Sequence, residues 1–247
     1  MDNAMIATFR DWDHRTPTPW QRLANKVLRR LRIGATLIPN QPPMTNIEAR
    51  MNLFHLLEQT LAYDVPGDVV ELGCNAGESS IVIQNVLTAW ASTKRFHVFD
   101  SFKGLPPPAG PDAADGVYTE GSMKADQEQL VGIFAEANLA RPQLHAGWFE
   151  DTIPARLPER ISFALLDGDL YSSTRHILPH VYARMMSGAI GFFGCYYDES
   201  ILVRPHSRDY YKSPGVKRAT DEFFADKPER VHVLYACEYS NGYFRKR

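Results

Sequence analysis

Two glycines that follow an apolar run are the first residues whose spacing suits ligand chemistry. DVVELG (68–73) predicts a buried strand, and Gly73 and Gly77 bracket a tight turn into a helical pattern. Glycines at such a turn let the backbone bend sharply and approach a ligand closely. The spacing is not the G-x-G-x-x-G of dinucleotide sites, and no Lys-Ser/Thr pair follows as in a nucleotide phosphate loop.

An acidic residue ends the next predicted strand. Asp100 closes FHVFD (96–100), where a carboxylate can accept hydrogen bonds from both hydroxyls of a ribose. A glycine turn and this acid, with no phosphate loop, favour S-adenosylmethionine over NAD as the ligand. Glu71, inside the first strand, would either orient the glycine loop or receive the amino group of the methionine portion, and it needs a partner if buried.

Alternating apolar runs and helical patterns place these residues in a doubly wound α/β fold, Rossmann-like, with a mostly parallel sheet. Short apolar runs predict further strands at 143–148, 161–169 and 188–196, and a closing hairpin at 230–236 and 242–246. Periodic segments predict helices at 20–31, 47–63, 77–88, 123–138, 171–186 and 215–225.

The chain divides into an N-terminal helical extension (1–43) and a cofactor-binding domain (44–247). Helix 20–31 is basic and amphipathic, so it could lie on a membrane or on an acidic partner. We favour the alternative that its apolar side packs on the domain or on a second subunit. Two irregular stretches, 102–122 and 197–214, follow strand ends. We expect both on the ligand side of the sheet, the first as a lid.

Composition excludes several classes of protein. The formal net charge is −2, which argues against a nucleic-acid partner. No apolar run approaches the ~20 residues of a membrane span. The acidic start argues against a signal peptide, and three widely spaced cysteines suit a reducing compartment, so we expect a cytoplasmic protein.

Several longer motifs resemble the macrocin O-methyltransferase family. They are MTNIEARMNL (44–53), VPGDVVELGCNAGES (65–79), FDSFKGLPPP (99–108), GWFEDTIP (147–154), LLDGDLYSSTRHIL (165–178) and GVKRATDEFF (215–224). The resemblance implies a class I methyltransferase fold, a homo-oligomer such as a dimer, and methylation of a small-molecule hydroxyl, commonly on a natural-product sugar.

The resemblance also implies roles for individual residues. Asp169 corresponds to the general base, beside Asp167, which corresponds to the first carboxylate of a magnesium site. The expected S-adenosylmethionine contacts are Glu71, Gly73, Asn75, Gly77, Ser79, Asp100, Ser101, Phe102 and Asp167.

The chain departs from the family at the metal site. Gly194 and Cys195 stand where an Asp-Asp pair would complete it, and Mg²⁺ prefers carboxylates and waters. We therefore do not expect Mg²⁺ to be retained unless Asp198 and Glu199 replace the missing ligands. Three consequences stay open: methylation without a metal, favoured by a more acidic acceptor such as a phenol; altered chemistry with the same cofactor; or a partner subunit without activity.

Other groups could serve as the base or line the acceptor site. His206, in the 197–214 stretch, is a candidate base on the ligand side, whereas His145 and His176 are more typical of packed or surface residues. Cys195 is expected to be a small buried thiol. The tyrosines that could contact an acceptor or simply pack are Tyr171, Tyr196, Tyr197, Tyr210 and Tyr211.

Overall fold

The structure is a computed structural model that describes residues 19–32, 47–197, 213–236 and 239–247. Its helices are α1 Pro19–Arg30, α2 Ile47–Ala62, α3 Glu78–Ala89, α4 Pro111–Asp115, α5 Gln127–Glu136, α6 Phe149–Thr152, α7 Tyr171–Arg184 and α8 Pro214–Phe224. Its strands are β1 Asp68–Leu72, β2 Phe96–Asp100, β3 Gln143–Ala146, β4 Ile161–Leu166, β5 Met185–Phe193, β6 His232–Ala236 and β7 Tyr239–Arg245.

The strands form one seven-stranded sheet in the order β3-β2-β1-β4-β5-β7-β6. β3, β2, β1, β4 and β5 pair in parallel, and β7 runs antiparallel between β5 and β6. Helices α2, α3 and α5 cover one face of the sheet, and α7 and α8 cover the other. The prediction of a doubly wound α/β fold with a closing hairpin is confirmed.

The strands are shorter at their carboxyl ends than the sequence predicted. β4 ends at Leu166 rather than 169, β3 at Ala146 rather than 148, and β5 at Phe193 rather than 196. Only single backbone hydrogen bonds continue past these points, such as those from the N–H groups of Asp167 and Gly194 to the neighbouring strands, and the chain then enters partly buried loops. The residues beyond the ends become the floor of a cavity.

Helix α1 agrees with the predicted amphipathic helix, but its apolar stripe is in solvent. Trp20 is 79% exposed and Leu31 is 63% exposed, and Leu23 and Val27 are also exposed. The stripe therefore does not pack on the part of the domain that the structure describes. None of the described helices combines the length and the apolarity that a membrane crossing requires.

Gly191 in β5 tests how tightly the sheet packs. It pairs with Phe244 of β7, and a Cβ at Gly191 would lie 2.2 Å from Cε1 of that fully buried ring. Gly191→Ala should therefore lower the free energy of unfolding by about 1–3 kcal/mol, through overpacking. Urea unfolding measures this change.

The matched control is Gly132→Ala in α5, where no atom lies within 4 Å of the added methyl group. Alanine there should be neutral or stabilising by up to about 1 kcal/mol, because it favours the helix. Equal stability of the two variants would contradict the tight packing of Phe244.

Candidate active site

Four strands end in register, and this alignment builds the site. Leu72 of β1 pairs with Phe99 of β2 and Leu166 of β4, and Leu166 pairs with Phe193 of β5. The next residue of each strand therefore stands in one row across the sheet. In spatial order this row is Asp100, Gly73, Asp167 and Gly194.

The two glycines of this row make room for Asp167, which stands between them. A Cβ at Gly73 would lie 2.0 Å from the carbonyl oxygen of Asp167, and a Cβ at Gly194 would lie 2.3 Å from its Oδ1. Gly73 also has a φ of +90°, which side chains rarely adopt. Neither position accepts a side chain unless Asp167 moves.

Asp100 shapes the glycine loop directly. Its Oδ2 accepts hydrogen bonds from the backbone N–H groups of Cys74 (2.9 Å) and Asn75 (3.2 Å). Its Oδ1 accepts one from the N–H of Phe102 (2.8 Å). A carboxylate oxygen can accept about two hydrogen bonds, so Oδ1 keeps one position for a ligand hydroxyl.

Glu71 lies beneath the loop, fully buried, and accepts hydrogen bonds from the hydroxyls of Ser79 and Ser80 in the first turn of α3. Burial raises the pKa of Glu71 to about 7, against the two hydroxyls, which lower it. These bonds favour the first of its two expected roles, that of orienting the glycine loop.

A cavity of about 370 Å³ lies over the row. Of the predicted residues, its lining includes Gly73, Asn75, Ser79, Asp100, Ser101, Asp167 and Asp169. Glu71, Gly77 and Phe102 stand behind this lining. Phe102 packs against the core, and Gly77 begins α3 against Leu130.

The cavity also has walls that sequence reasoning missed. Trp148 and Phe149 contribute one side, and the Nε1 of Trp148 donates to the carbonyl of Gly104 (3.2 Å). Both belong to the GWFEDTIP motif, which supported the family resemblance but was not predicted to line the site. Tyr118 lies in the irregular 102–122 stretch, where no periodicity pointed to it.

Asp169 is held by one of its two carboxylate oxygens. Its Oδ1 accepts hydrogen bonds from the hydroxyls of Tyr118 (3.1 Å) and Ser213 (3.3 Å), and the Cys195 thiol lies 3.9 Å away. Within the described ranges no donor reaches Oδ2. Desolvation in the cavity wall raises the pKa of Asp169 above the ordinary carboxyl value, against the two hydroxyls.

Asp167 and Cys195 complete an acidic cluster with Asp169. Their ligand atoms all lie within 4.8 Å of one another, and Oδ1 of Asp167 is a buried oxygen without a hydrogen-bond partner among the described residues. Burial and the neighbouring carboxylates raise the pKa of both Asp167 and Cys195 well above ordinary values. The sequence predicted a buried thiol at Cys195, whereas the structure leaves this residue partly exposed.

The two other candidate bases that the structure describes, His145 and His176, do not line this cavity. His145 on β3 stacks on Phe99 (4.3 Å between centroids), and its Nε2 is 3.1 Å from Nδ1 of His97. His176 lies on α7 beside His180. His206, Asp198, Glu199, Tyr210 and Tyr211 lie outside the described residues.

Three of the tyrosines proposed from the sequence to contact an acceptor are described: two of them pack, and one lines the cavity. The hydroxyl of Tyr171 donates to Glu222 (2.6 Å), and that of Tyr196 donates to Asp221 (2.6 Å); both acids belong to α8. Tyr197 is buried and lines the cavity beside Cys195.

Comparison with known families identifies the family of this chain. The family described as Macrocin-O-methyltransferase (TylF) matches residues 8–227. The chain belongs to the macrocin O-methyltransferase family. The resemblance carried by the sequence motifs is thereby confirmed.

Relatives of this family member are natural-product O-methyltransferases. The 8-demethyl-8-(2,3-dimethoxy-alpha-L-rhamnosyl)-tetracenomycin-C 4'-O-methyltransferase of Streptomyces olivaceus is 36% identical over 154 residues, 59% of this chain and 59% of that protein. The chain thus spans about three fifths of that relative's length. The demethyldecarbamoylnovobiocin O-methyltransferase of Streptomyces niveus is 28% identical over 224 residues, 87% of this chain and 77% of that protein.

A solved structure shows the same fold. The O-methyltransferase NovP superposes with a TM-score of 0.73 and 22% identity, over 99% of both chains. At this identity the likeness concerns the fold alone.

The magnesium site expected of a macrocin O-methyltransferase does not fit the residues present. Mg²⁺ requires near-octahedral oxygen ligands, whereas Cys195 offers sulfur and Gly194 offers no side chain. An acid at position 194 would collide with the Asp167 carboxylate that already fills the space. We therefore propose no step through a magnesium ion.

The buried Glu71 makes stability depend on pH. Its pKa is about 7 in the folded protein, against an ordinary value of 4.5, so the unfolded chain releases this proton at lower pH than the folded protein. The contribution of Glu71 to the free energy of unfolding is complete below pH 4.5 and is lost as pH rises to about 7.

Glu71→Gln should remove this loss, because the neutral amide keeps its partners and releases no proton. Relative to the wild type, the variant should gain up to about 3 kcal/mol between pH 4.5 and pH 8. Urea unfolding at both pH values measures this gain, with the exposed Glu136→Gln as control. A constant difference at the two pH values would mean that Glu71 is ionised when folded.

Proposed function

We propose that this protein transfers the methyl group of S-adenosylmethionine to a hydroxyl of a small natural-product molecule, such as a sugar hydroxyl. The observation that carries the proposal is the cavity over the row of strand ends. It joins a glycine loop held by Asp100 to a carboxylate, Asp169, that has one oxygen without a described partner. Membership of the macrocin O-methyltransferase family supports the same interpretation.

The cofactor would lie across the β1 and β2 ends. The free position on Asp100 Oδ1 suits a ribose hydroxyl, and Gly73 allows the backbone to approach the methionine portion. The remaining proposed contacts are Asn75, Ser79, Ser101 and Asp167. Gly77, Glu71 and Phe102 would act from behind by shaping the loop.

The three carboxylates that line the cavity suit a sulfonium cation. Asp100, Asp167 and Asp169 all line the cavity. A positive sulfur placed among them would favour the ionised forms of Asp167 and Asp169, because opposite charges within about 4–6 Å lower a carboxyl pKa. The cofactor itself would thus relieve the repulsion among the three carboxylates.

Methyl transfer is a single displacement. The acceptor oxygen forms a bond to the methyl carbon while the carbon–sulfur bond breaks. The electron pair of the broken carbon–sulfur bond stays on the sulfur, which gives S-adenosylhomocysteine. The hydroxyl proton passes to Oδ2 of Asp169, while Oδ1 remains held by Tyr118 and Ser213. A carboxyl group with a raised pKa is a better base near neutral pH than an ordinary one.

The exposed stripe of α1 supports a homo-oligomer. Its apolar residues are large, adjacent on one helix face and without cover in the described part of the chain. We propose that this part of the 1–43 extension forms a contact between copies.

The direct test is transfer of tritiated methyl from S-adenosylmethionine to a panel of L-rhamnosides and phenols, with thermal shift run in parallel. S-adenosylmethionine and S-adenosylhomocysteine should stabilise the protein, NAD should not, and at least one acceptor should gain label. Cofactor binding with no transfer to any acceptor would favour a binding or partner protein. No stabilisation by either adenosyl compound would refute the cofactor.

Asp169→Asn tests the proposed base. The amide cannot accept the hydroxyl proton, so kcat should fall by about 10²–10⁴-fold. The Kd for S-adenosylhomocysteine, measured by calorimetry, should stay within about twofold, because Asp169 is not assigned to the adenosyl portion. In the wild type, kcat/KM for S-adenosylmethionine, which reports the free enzyme, should fall on the acid side with a midpoint above the ordinary carboxyl pKa of about 3.9.

The exposed Asp115→Asn in α4 is the control and should match the wild type in both measurements. Unchanged turnover in Asp169→Asn would remove the residue from the mechanism. An equal loss of cofactor affinity and turnover would instead assign it to binding.

A further inference from the structure

The stretch between β2 and α5, which the sequence predicted as a lid, is closed at its neck by backbone contacts. The N–H of Leu105 donates to the carbonyl of Ser122 (2.8 Å), and the N–H of Gly121 donates to the carbonyl of Leu105 (3.0 Å). A Cβ at Gly104 would lie 2.4 Å from the carbonyl oxygen of Gly121. These contacts form a narrow neck, from which residues 106–120 project as one compact loop.

The loop is anchored at a second place by Asp112. This side chain is buried and accepts hydrogen bonds from the N–H groups of Tyr171 (2.6 Å) and Ser172 (3.1 Å). Those N–H groups open α7 and have no partner within the helix, so a carboxylate there is well placed. The anchor ties the loop to the residues immediately after Asp169.

The third anchor is Tyr118, and it reaches the base itself. Its hydroxyl lies 3.1 Å from Oδ1 of Asp169 and 2.9 Å from the Ser213 hydroxyl. Ser213 is fully buried at the start of α8 and also contacts Asp169. Two hydroxyls from separate segments therefore converge on the same carboxylate oxygen.

The backbone of Asp169 places its carboxylate in a tight turn. Its φ is +58°, in the left-handed region, and it stands in the short connection between β4 and α7. An aspartate side chain can adopt several staggered rotamers, and hydrogen bonds to its oxygens select one of them. Hydrogen bonds to Oδ1 alone orient the side chain and leave Oδ2 towards the cavity.

We propose that Tyr118 is a positioning residue for Asp169: with Ser213 it holds Oδ1, so that closure of the 105–122 loop and alignment of the base are one event. This inference rests on the proposed methyl transfer. Burial and the Asp169 carboxylate raise the pKa of the Tyr118 phenol, so the hydroxyl stays a donor across the working pH range. Tyr118 thus acts through Asp169 and takes no proton from the acceptor.

The kinetic test compares Tyr118→Phe in two backgrounds, using the acceptor that the wild type labels. Alone, Tyr118→Phe should lower kcat about tenfold, the loss expected for one hydrogen bond to a charged group. The KM for S-adenosylmethionine should not change. In the Asp169→Asn background the same substitution should have no further effect, because interacting residues are not additive.

Hydrogen exchange of the complex with S-adenosylhomocysteine gives a readout without turnover. Backbone amides of residues 113–122 should exchange several-fold faster in Tyr118→Phe and in Ser213→Ala than in the wild type. The matched control is Tyr182→Phe, which loses a 2.7 Å hydrogen bond to Glu229 away from the cavity. It should leave both the loop exchange and kcat unchanged.

The outcomes separate this inference from the function. Methyl transfer by the wild type with an unchanged kcat in Tyr118→Phe would overturn the positioning role and leave the function standing. A tenfold loss that persists in the Asp169→Asn background would overturn action through the base. If the wild type transfers no methyl group, the proposed function is refuted. Unchanged hydrogen exchange of the loop in Tyr118→Phe would independently refute the role of Tyr118 as an anchor.

Discussion

The register of four parallel strand ends is the constraint on which this site depends. It sets Asp100, Gly73, Asp167 and Gly194 side by side, with acids and glycines alternating. Both glycines leave space that Asp167 occupies: a Cβ at Gly73 would lie 2.0 Å from its backbone carbonyl oxygen, and a Cβ at Gly194 would lie 2.3 Å from its carboxylate. A shift of one residue in any strand would turn its side chains to the other face and disperse the row.

Electrostatics follow from this packing. Carboxylates gathered at one edge of the sheet lose water, and burial raises the pKa of Glu71, Asp167 and Asp169. Such a cluster favours a cation, and in our proposal the sulfonium of the cofactor is that cation. Gly194 and Cys195 remove the oxygen ligands that a magnesium ion would need, so the charge balance differs from that implied by the family resemblance.

Periodic segments were predictable, and the contacts made by loops were not. Apolar runs located β1, β2, β4 and β5, and their ends pointed to Gly73 and Asp100 from the sequence alone. Asp167 was identified only through the resemblance to the family. The prediction for Asp100 was incomplete, because sequence could not show that it binds the loop's N–H groups. Tyr118, Asp112 and Ser213 reach the site from irregular stretches, where neither periodicity nor motif spacing encodes which long-range partner a hydroxyl or carboxylate will find.

The most direct test of the central claim is a crystal structure of the protein with S-adenosylhomocysteine, grown with Mn²⁺ as an anomalous substitute for Mg²⁺. Our account predicts the ribose at Asp100, the cofactor sulfur facing Asp169, and no anomalous peak between Asp167 and Cys195. A metal ion coordinated by Asp167 and Asp169 at that position would contradict the account, because it would occupy the carboxylate that we assign to the proton.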